Sequence, residues 1–502
     1  MKSSENQGVI ADAPARSSAL TIGSPDPRHV GDSSALLRLV AEQAFSRAAG
    51  APLIPGNAVR LLKDGVENYP AWLDAIHSAK STVHFETYIL HADRVGQEFA
   101  EALSAKARQD VEVRLIYDWL GARGAASFGF WRKLRNTGIE VRCFNPPRLD
   151  DPLEALRRDH RKTIVIDGRI GFVSGLCVGK RWMGNARRNR EPWRDTGVQI
   201  EGPAVLDLER AFIQMWCSLG SSSEDEFQIN DGWSGPSPGG VALRIVASEP
   251  SRASLYRLDQ LVAAIARKSI WLTDAYFLGT PAYVQSLRAA AFDDVDVRLL
   301  VPRTSDIPVV RALSRVGYRT LLESGVRIFE WNGSMLHAKT SVADGRWARV
   351  GSTNLNLASW ISNYELDVVV ENEKFAALMQ EMYLADLERS TEIVLSEDDK
   401  VRPLERRTRH ERPRGSARGS AGRAATGVFT IGSTLRAALV SPSLLGPPEA
   451  PLMLAFALLL AGVVALAVFV PRAIGYSLAV LCGWAVVVLI IKAFRLKRQR
   501  PK

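Results

Sequence analysis

Between residues 55 and 395 the spacing of apolar positions switches repeatedly between a helical and a strand-like period. The stretch RLLKDGVENYPAWLDAIHSAKSTVHFETYIL (60–90) carries a helical rhythm through Trp72, Leu73 and Ile76, then a β-branched and aromatic run that predicts a strand. VEVRLIYD (111–118) predicts a second strand, the apolar-periodic stretch to Asn136, stopped by Gly138, a helix, and IEVRCF (139–144) a third strand. Helices that separate short apolar strands predict an α/β fold of βαβ units, with helices on both faces of a sheet.

The same pattern returns later in the chain. AKSTVHFETYIL (79–90) matches ARKSIWLTDAYFL (266–278), and VEVRLIYD matches VDVRLLVP (295–302). LRNTGIEVRCF (134–144) matches LLESGVRIFEW (321–331), and DHRKTIVIDG (159–168) matches LHAKTSVADG (336–345). Four matched blocks in one order identify a duplicated unit. The expectation is two units, 55–225 and 226–395, packed about a pseudo-twofold axis as one bilobal body.

The last pair of blocks carries chemistry. His160, Lys162 and Asp167 recur as His337, Lys339 and Asp344, with Thr163 and Gly168 matching Thr340 and Gly345. Side chains two residues apart on a strand point the same way, so each unit projects one imidazole and one ammonium together. If the units close face to face, two histidines and two lysines share one pocket. Such a pocket suits a phosphodiester: the ammonium groups hold non-bridging oxygens, one imidazole attacks phosphorus, and the other protonates the leaving alkoxide. This chemistry requires no metal and no cofactor.

The two His-x-Lys-x-x-x-x-Asp copies resemble the HKD motifs of the phospholipase D superfamily, over roughly residues 55 to 392. LHAKTSVADGRWARVGSTNLN, DAYFLGT, IPVVRALSRVGYRTLLESGVRIFEW and WRDTGVQIEGPAV look most like bacterial cardiolipin synthases, particularly the B type. The resemblance implies a phosphatidyl group carried on a histidine and passed to the head-group hydroxyl of a second phospholipid, with phosphatidylglycerol as the expected substrate. It implies His160 as the nucleophile and His337 as the general acid. It places Ser352 and Asn354 in a phosphate-binding Gly-Ser-x-Asn segment, and Glu365 as the acid that orients the imidazole of its own motif. Asp195, in WRDT, is the counterpart expected for the first copy. Ser174, Gly175, Leu176 and Cys177 stand where Gly-Gly-x-Asn belongs, so a thiol replaces an amide and Gly175 keeps the backbone position. Asp167 and Asp344, grouped with the catalytic residues by the motif, read from their Asp-Gly sequence as anchors at strand ends. Glu86 with Tyr88 and Asp274 with Tyr276 occupy matched strand positions as candidates for lining the cleft. His84 and His91 have no counterparts and read as structural, and RRNRE (187–191) reads as a solvated loop.

The rest of the chain points to a bilayer. LMLAFALLLAGVVALAVFV (452–470) and IGYSLAVLCGWAVVVLII (474–491) are uncharged, each near the length that spans a membrane, with only a tight turn between them. A transmembrane hairpin with a basic tail is expected over 449–502. The flanking segments 400–436 and 492–502 carry +8 and +6, which places both ends of the hairpin and the catalytic body on the cytoplasmic side of a bacterial inner membrane. With a chain total of +10, those segments leave −4 for residues 1–399. A nuclease would be expected to spread positive charge along its body. Gathered beside the membrane, the charge suits anionic lipid head groups and argues against a nucleic-acid partner.

Residues 1–32 are rich in Ser, Ala, Asp and Pro without an apolar core segment, and predict disorder rather than a signal peptide. SSALLRLVAEQAFSRAAG (33–50) predicts an amphipathic helix within the lead-in 33–54, and 396–448 predicts a basic linker. Cys143, Cys177, Cys217 and Cys482 show neither metal-ligand nor disulfide spacing. Three functions follow in order: a phosphatidyl transferase, a phospholipase D in which water takes the intermediate, and a lipid-binding protein whose catalysis has lapsed, the last prompted by Cys177.

Overall fold

The computed structural model describes residues 33–147, 157–185, 189–227, 233, 235–250, 252–395 and 401–404. Met1–Ala44 and Phe45–Lys502 form separate compact units, and the helix Ser33–Ala49 spans their boundary. The expected disordered N-terminus and transmembrane hairpin lie outside the described residues. Among the described residues no helix is long and apolar enough to cross a membrane.

The body is one mixed sheet with helices on its faces. Its first seven strands are β1 (Ile54–Lys63), β2 (Thr82–Thr87), β3 (Glu112–Asp118), β4 (Glu140–Phe144), β5 (Lys162–Ile166), β6 (Ile170–Ser174) and β7 (Thr196–Glu201). The next seven are β8 (Val241–Ser248), β9 (Ser269–Thr273), β10 (Asp296–Pro302), β11 (Arg327–Trp331), β12 (Thr340–Ala343), β13 (Trp347–Gly351) and β14 (Glu365–Glu371). β1 and β8 pair antiparallel at the centre. Outward from that seam the first half runs β1-β7-β6-β5-β2-β3-β4, and the second half runs β8-β14-β13-β12-β9-β10-β11. Each strand thus has its equivalent at the same distance from the seam, the duplication read from the sequence made visible as topology. β15 (Ser390–Leu395) and β16 (Val401–Pro403) extend the second half. β16 lies at the start of the segment expected to be linker. Its three residues are a strand because β15 offers an open edge to pair with.

The parallel strands β2-β3-β4 and β9-β10-β11 interleave polar positions, such as His84, Arg114, Arg142 and Glu330, with their apolar ones. Val83 and Phe85 meet Trp72 and Ile76 of helix Asp64–Ser78 and Phe99 and Leu103 of helix Arg94–Ala107. His84, between them, points to the other face and stacks on Phe212 at 4.6 Å, where burial and Arg114 push its pKa down to about 3 and keep it neutral. The sheet folds back so that β6 and β7 face β13 and β14. Helices Val205–Ser218 and Glu373–Glu388 fill that interior with Leu208, Ala211, Phe375 and Met379, so one core serves both halves.

The β5–β6 and β12–β13 turns are tied down by Asp167 and Asp344, both in the left-handed region at φ 53° and 52° and each followed by a positive-φ glycine. Asp167 accepts backbone N–H bonds from Lys80, Ser81 and Thr82 at 2.8–2.9 Å. Asp344 accepts from Arg267, Lys268 and Ser269. Each therefore pins its hairpin to the start of the neighbouring strand, β2 or β9. Neither belongs to the cavity that holds the histidines, which corrects their grouping with the catalytic residues.

Candidate active site

The residues just before β5 and β12 do not stay within their own half. Asp159 forms a parallel bridge with Tyr364, and His160 N–H donates to the Tyr364 carbonyl at 2.9 Å. Leu336 forms the matching bridge with Arg194, and His337 N–H donates to the Arg194 carbonyl at 2.7 Å. Glu365 follows Tyr364 and Asp195 follows Arg194, so each bridge delivers one half's acid to the other half's histidine. His160 Nδ1 lies 2.8 Å from Glu365 Oε2, and His337 Nδ1 lies 2.8 Å from Asp195 Oδ2. The sequence-based expectation had each acid orienting the histidine of its own motif. The bridges reverse that pairing.

With Nδ1 held by a carboxylate, Nε2 is the ring nitrogen left for a substrate. Glu365 also accepts from the Ser352 hydroxyl at 2.6 Å and from Asn363 Nδ2 at 3.3 Å. Asp195 accepts from Trp182 Nε1 at 3.1 Å and Thr196 N–H at 2.9 Å. Burial by itself would raise both acids, but the facing histidine, the nearby lysine and these donors hold both below their ordinary values. Gly175, in the position equivalent to Ser352, has no room for a side chain: a Cβ there would sit 2.2 Å from Asp195 Oδ1. Ser352 and Gly175, expected to touch substrate, stand behind the acids and outside the cavity wall.

Lys162 and Lys339 are buried, and each Nζ donates to the carbonyl of the histidine two residues before it. Lys162 lies 5.3 Å from the Tyr88 ring centre and Lys339 5.8 Å from that of Tyr276. The same tyrosines present their edges to the imidazoles, at 5.0 Å for His160 and 5.9 Å for His337. Burial, then the lysine charge, pushes His337 down to about 4. Burial also lowers His160, against the pull of Glu365. Lys339 is lowered by burial to about 8.

Both histidines open on one cavity of about 110 Å³. Tyr88 and Tyr276 line it, while Glu86 and Asp274 stand behind the wall, bonded to the Thr163 hydroxyl and to the N–H groups of Tyr276 and Leu355. Asn354 and Cys177 both line it, so the thiol does occupy the place equivalent to the amide. Sequence reasoning missed Arg158, Trp182, Trp193 and Asn363 in this wall. Arg158 and Trp193 stand within two residues of His160 and Asp195, and that proximity was the available signal. The arrangement offers two imidazoles, each with Nδ1 held by a carboxylate, opening on one cavity, with two lysine side chains buried behind its wall, which is equipment for a phosphodiester anion.

The family model described as cardiolipin synthase, PLD-like domain, matches residues 72–216 and 261–387, one match in each half. A cardiolipin synthase of Staphylococcus aureus is 32% identical over 353 residues, covering 68% of this chain and 69% of that protein. One of Alkalihalophilus pseudofirmus is 32% identical over 352 residues, covering 69% of each. One of Listeria innocua is 30% identical over 349 residues, covering 68% and 72%. Among solved structures, the phosphatidylserine synthase of Haemophilus influenzae superposes with a TM-score of 0.53 at 13% identity, covering 70% of this chain and 91% of that one, a likeness of fold. Two family matches, one around each His-Lys pair, together with relatives aligned over two thirds of their length, make this chain a member of the PLD-like cardiolipin synthase family.

Proposed function

We propose that the chain is a phosphatidyltransferase of the cardiolipin synthase type that works through a covalent phosphatidyl-histidine. The observation that carries this reading is the pair of histidines, each with a carboxylate on Nδ1, sharing one cavity with a lysine beside each. One Nε2 attacks phosphorus, and the bond from phosphorus to the head-group oxygen breaks. The second histidine gives its proton to the departing alkoxide. It then takes the proton of an incoming hydroxyl, whose oxygen displaces the first histidine.

Protonation of the second histidine is coupled to substrate. Burial and, after it, both lysine charges hold the imidazole pKa values down. A bound phosphodiester anion offsets those charges and raises the proton affinity of the histidine that must act as acid. Phosphatidylglycerol fits as donor and acceptor, since as donor it releases glycerol through its phosphoester oxygen and as acceptor it attacks through its free terminal hydroxyl. The uncharged segments 452–470 and 474–491, with basic flanks, supply an anchor in a bacterial inner membrane with the body on the cytoplasmic face.

Purified full-length protein in phosphatidylglycerol vesicles is expected to release glycerol and form a diphosphatidyl lipid, with His160→Ala and His337→Ala each abolishing both. Phosphatidic acid as the sole product would replace transfer with hydrolysis. Substantial turnover by either variant would remove the shared two-histidine mechanism.

A further inference from the structure

Four pairs of residues related by the duplication surround the imidazoles, and all four break the symmetry in the same sense. Arg158 and Met335 stand two residues before their histidines, and their carbonyls accept the matching N–H bonds from Tyr364 and Arg194. Asn354 and Cys177 are each three residues past the end of equivalent strands, β13 and β6. Ser359 and Trp182 follow five residues later. Asn363 and Trp193 immediately precede Tyr364 and Arg194. The first member of every pair is polar or charged, and the second is apolar or aromatic.

The crossed bridges sort these residues by histidine. Asn363 donates to Glu365, the acid of His160; Ser352, two residues before Asn354, donates to the same acid, and Asn354 Nδ2 reaches Ser359 Oγ at 3.5 Å. On the other side the rings of Trp182 and Trp193 lie 5.8 and 5.6 Å from that of His337. Cys177 lies two residues past Gly175, whose Cβ position abuts Asp195, the acid of His337. The Trp182 N–H is already committed to Asp195. Asp306, which accepts from the Tyr276 hydroxyl at 2.7 Å, is a polar group on the His337 side. Of the eight paired residues all but Met335 line the cavity, as does Asp306. His160 therefore stands on the side of two amides, a hydroxyl and the Arg158 guanidinium, itself ion-paired with Asp118, and His337 on the side of two indoles, a thiol and the Asp306 carboxylate.

An in-line displacement at phosphorus puts the leaving oxygen, and later the incoming one, opposite the attacking nitrogen and beside the histidine that moves the proton. A polyol head group placed there needs hydrogen-bonding groups around it, because buried hydroxyls without partners are costly. We infer that the polar wall beside His160 is the subsite for the alcohol, leaving and incoming, so that His160 transfers the proton and His337 carries the phosphatidyl group. In the first step the His337 Nε2–P bond forms, the P–O bond to the head group breaks, and the oxygen takes a proton from His160 Nε2. In the second the acceptor hydroxyl returns a proton to His160, its O–P bond forms and the N–P bond breaks. Burial among the indoles keeps His337 unprotonated, its lone pair available for attack. The assignment rests on the transfer reading above and reverses the order implied by the family resemblance, in which His160 attacks.

A donor lipid with a p-nitrophenyl head group tests this, because its phenolate leaves without a proton. Full-length His160→Ala in vesicles of that lipid is expected to give a burst of nitrophenolate approaching one equivalent, and His337→Ala none. The opposite pattern overturns the assignment. Should either variant fail to fold, the wild-type protein quenched in alkali during turnover decides by mass spectrometry. A phosphatidyl adduct on the His337 peptide supports the inference, and one on the His160 peptide overturns it alone. A wild-type chain that turns over neither this lipid nor phosphatidylglycerol overturns the transfer reading with it.

Discussion

Glu365 Oε2 sits 2.8 Å from His160 Nδ1, although 205 positions separate the two residues in the chain. The reciprocal pair, Asp195 and His337, is separated by 142. A carboxylate on Nδ1 fixes the tautomer and stabilises the imidazolium when it forms. Glu365→Gln and Asp195→Asn keep the shape and remove the charge. Each is expected to lower the rate of glycerol release from phosphatidylglycerol by roughly 10²- to 10⁴-fold. A loss of less than about tenfold in folded variants, checked by circular dichroism, would take the acids out of the mechanism.

The site should have two pH limits of different kinds. Lys339 titrates at about 8 rather than 10.5, so as pH rises through about 8 its ammonium is lost and kcat/KM should fall. In Lys339→Arg the charge persists, and whatever activity remains should lose that alkaline limb. On the acid side the limit is stability. His337 is held at about 4 against an ordinary 6.5, so the unfolded chain binds the proton more readily. Its stabilising contribution is complete above 6.5 and is lost as pH falls towards 4, about 3 kcal/mol in all. Urea titrations at pH 7 and pH 5 measure this, and His337→Gln should reduce the difference between them.

Gly175→Ala is a one-carbon change with no free space to enter, since the new Cβ would meet Asp195 Oδ1 at 2.2 Å. The displaced carboxylate would leave His337 Nδ1. The expected outcome is about 1–3 kcal/mol of destabilisation with a loss of activity close to that of Asp195→Asn. Chemical denaturation paired with the lipid assay separates the two effects, and wild-type turnover by this variant would contradict the packing described.

Asp167→Ala should do the reverse. It removes the acceptor of three backbone N–H bonds and the Ser81 hydroxyl, and places alanine at a φ of 53°. Stability is expected to fall by about 1–3 kcal/mol while kcat stays within a few-fold of wild type. A collapse of kcat in a variant of unchanged melting temperature would return Asp167 to the reaction.

The sequence made the duplication legible because each half repeats its strands, turns and His-Lys pair in order, and local apolar periodicity reports local strands. Strands β3 and β4 fall where VEVRLIYD and IEVRCF predicted them. The exchange of acids was not legible. Glu365 lies 28 residues past His337 and Asp195 lies 35 past His160, so chain proximity favoured the wrong partners. The pairing is set by two single-residue bridges between halves, Asp159 with Tyr364 and Arg194 with Leu336, which no periodicity encodes. The cavity wall was hidden for a related reason: Trp182 and Ser359 sit in helices of four and five residues, and Trp193 and Asn363 in connecting segments, all too short to show a periodicity.

The exchange of Glu365 and Asp195 across the β1–β8 seam leaves neither repeat self-sufficient. A polypeptide severed between the repeats would yield two fragments, each holding an imidazole whose carboxylate resides on the other molecule. Competence would then depend on fragment concentration and return only on reassociation. Covalent fusion of the repeats fixes that encounter at a one-to-one stoichiometry and lets the two walls diverge independently, which an assembly of identical subunits could never do.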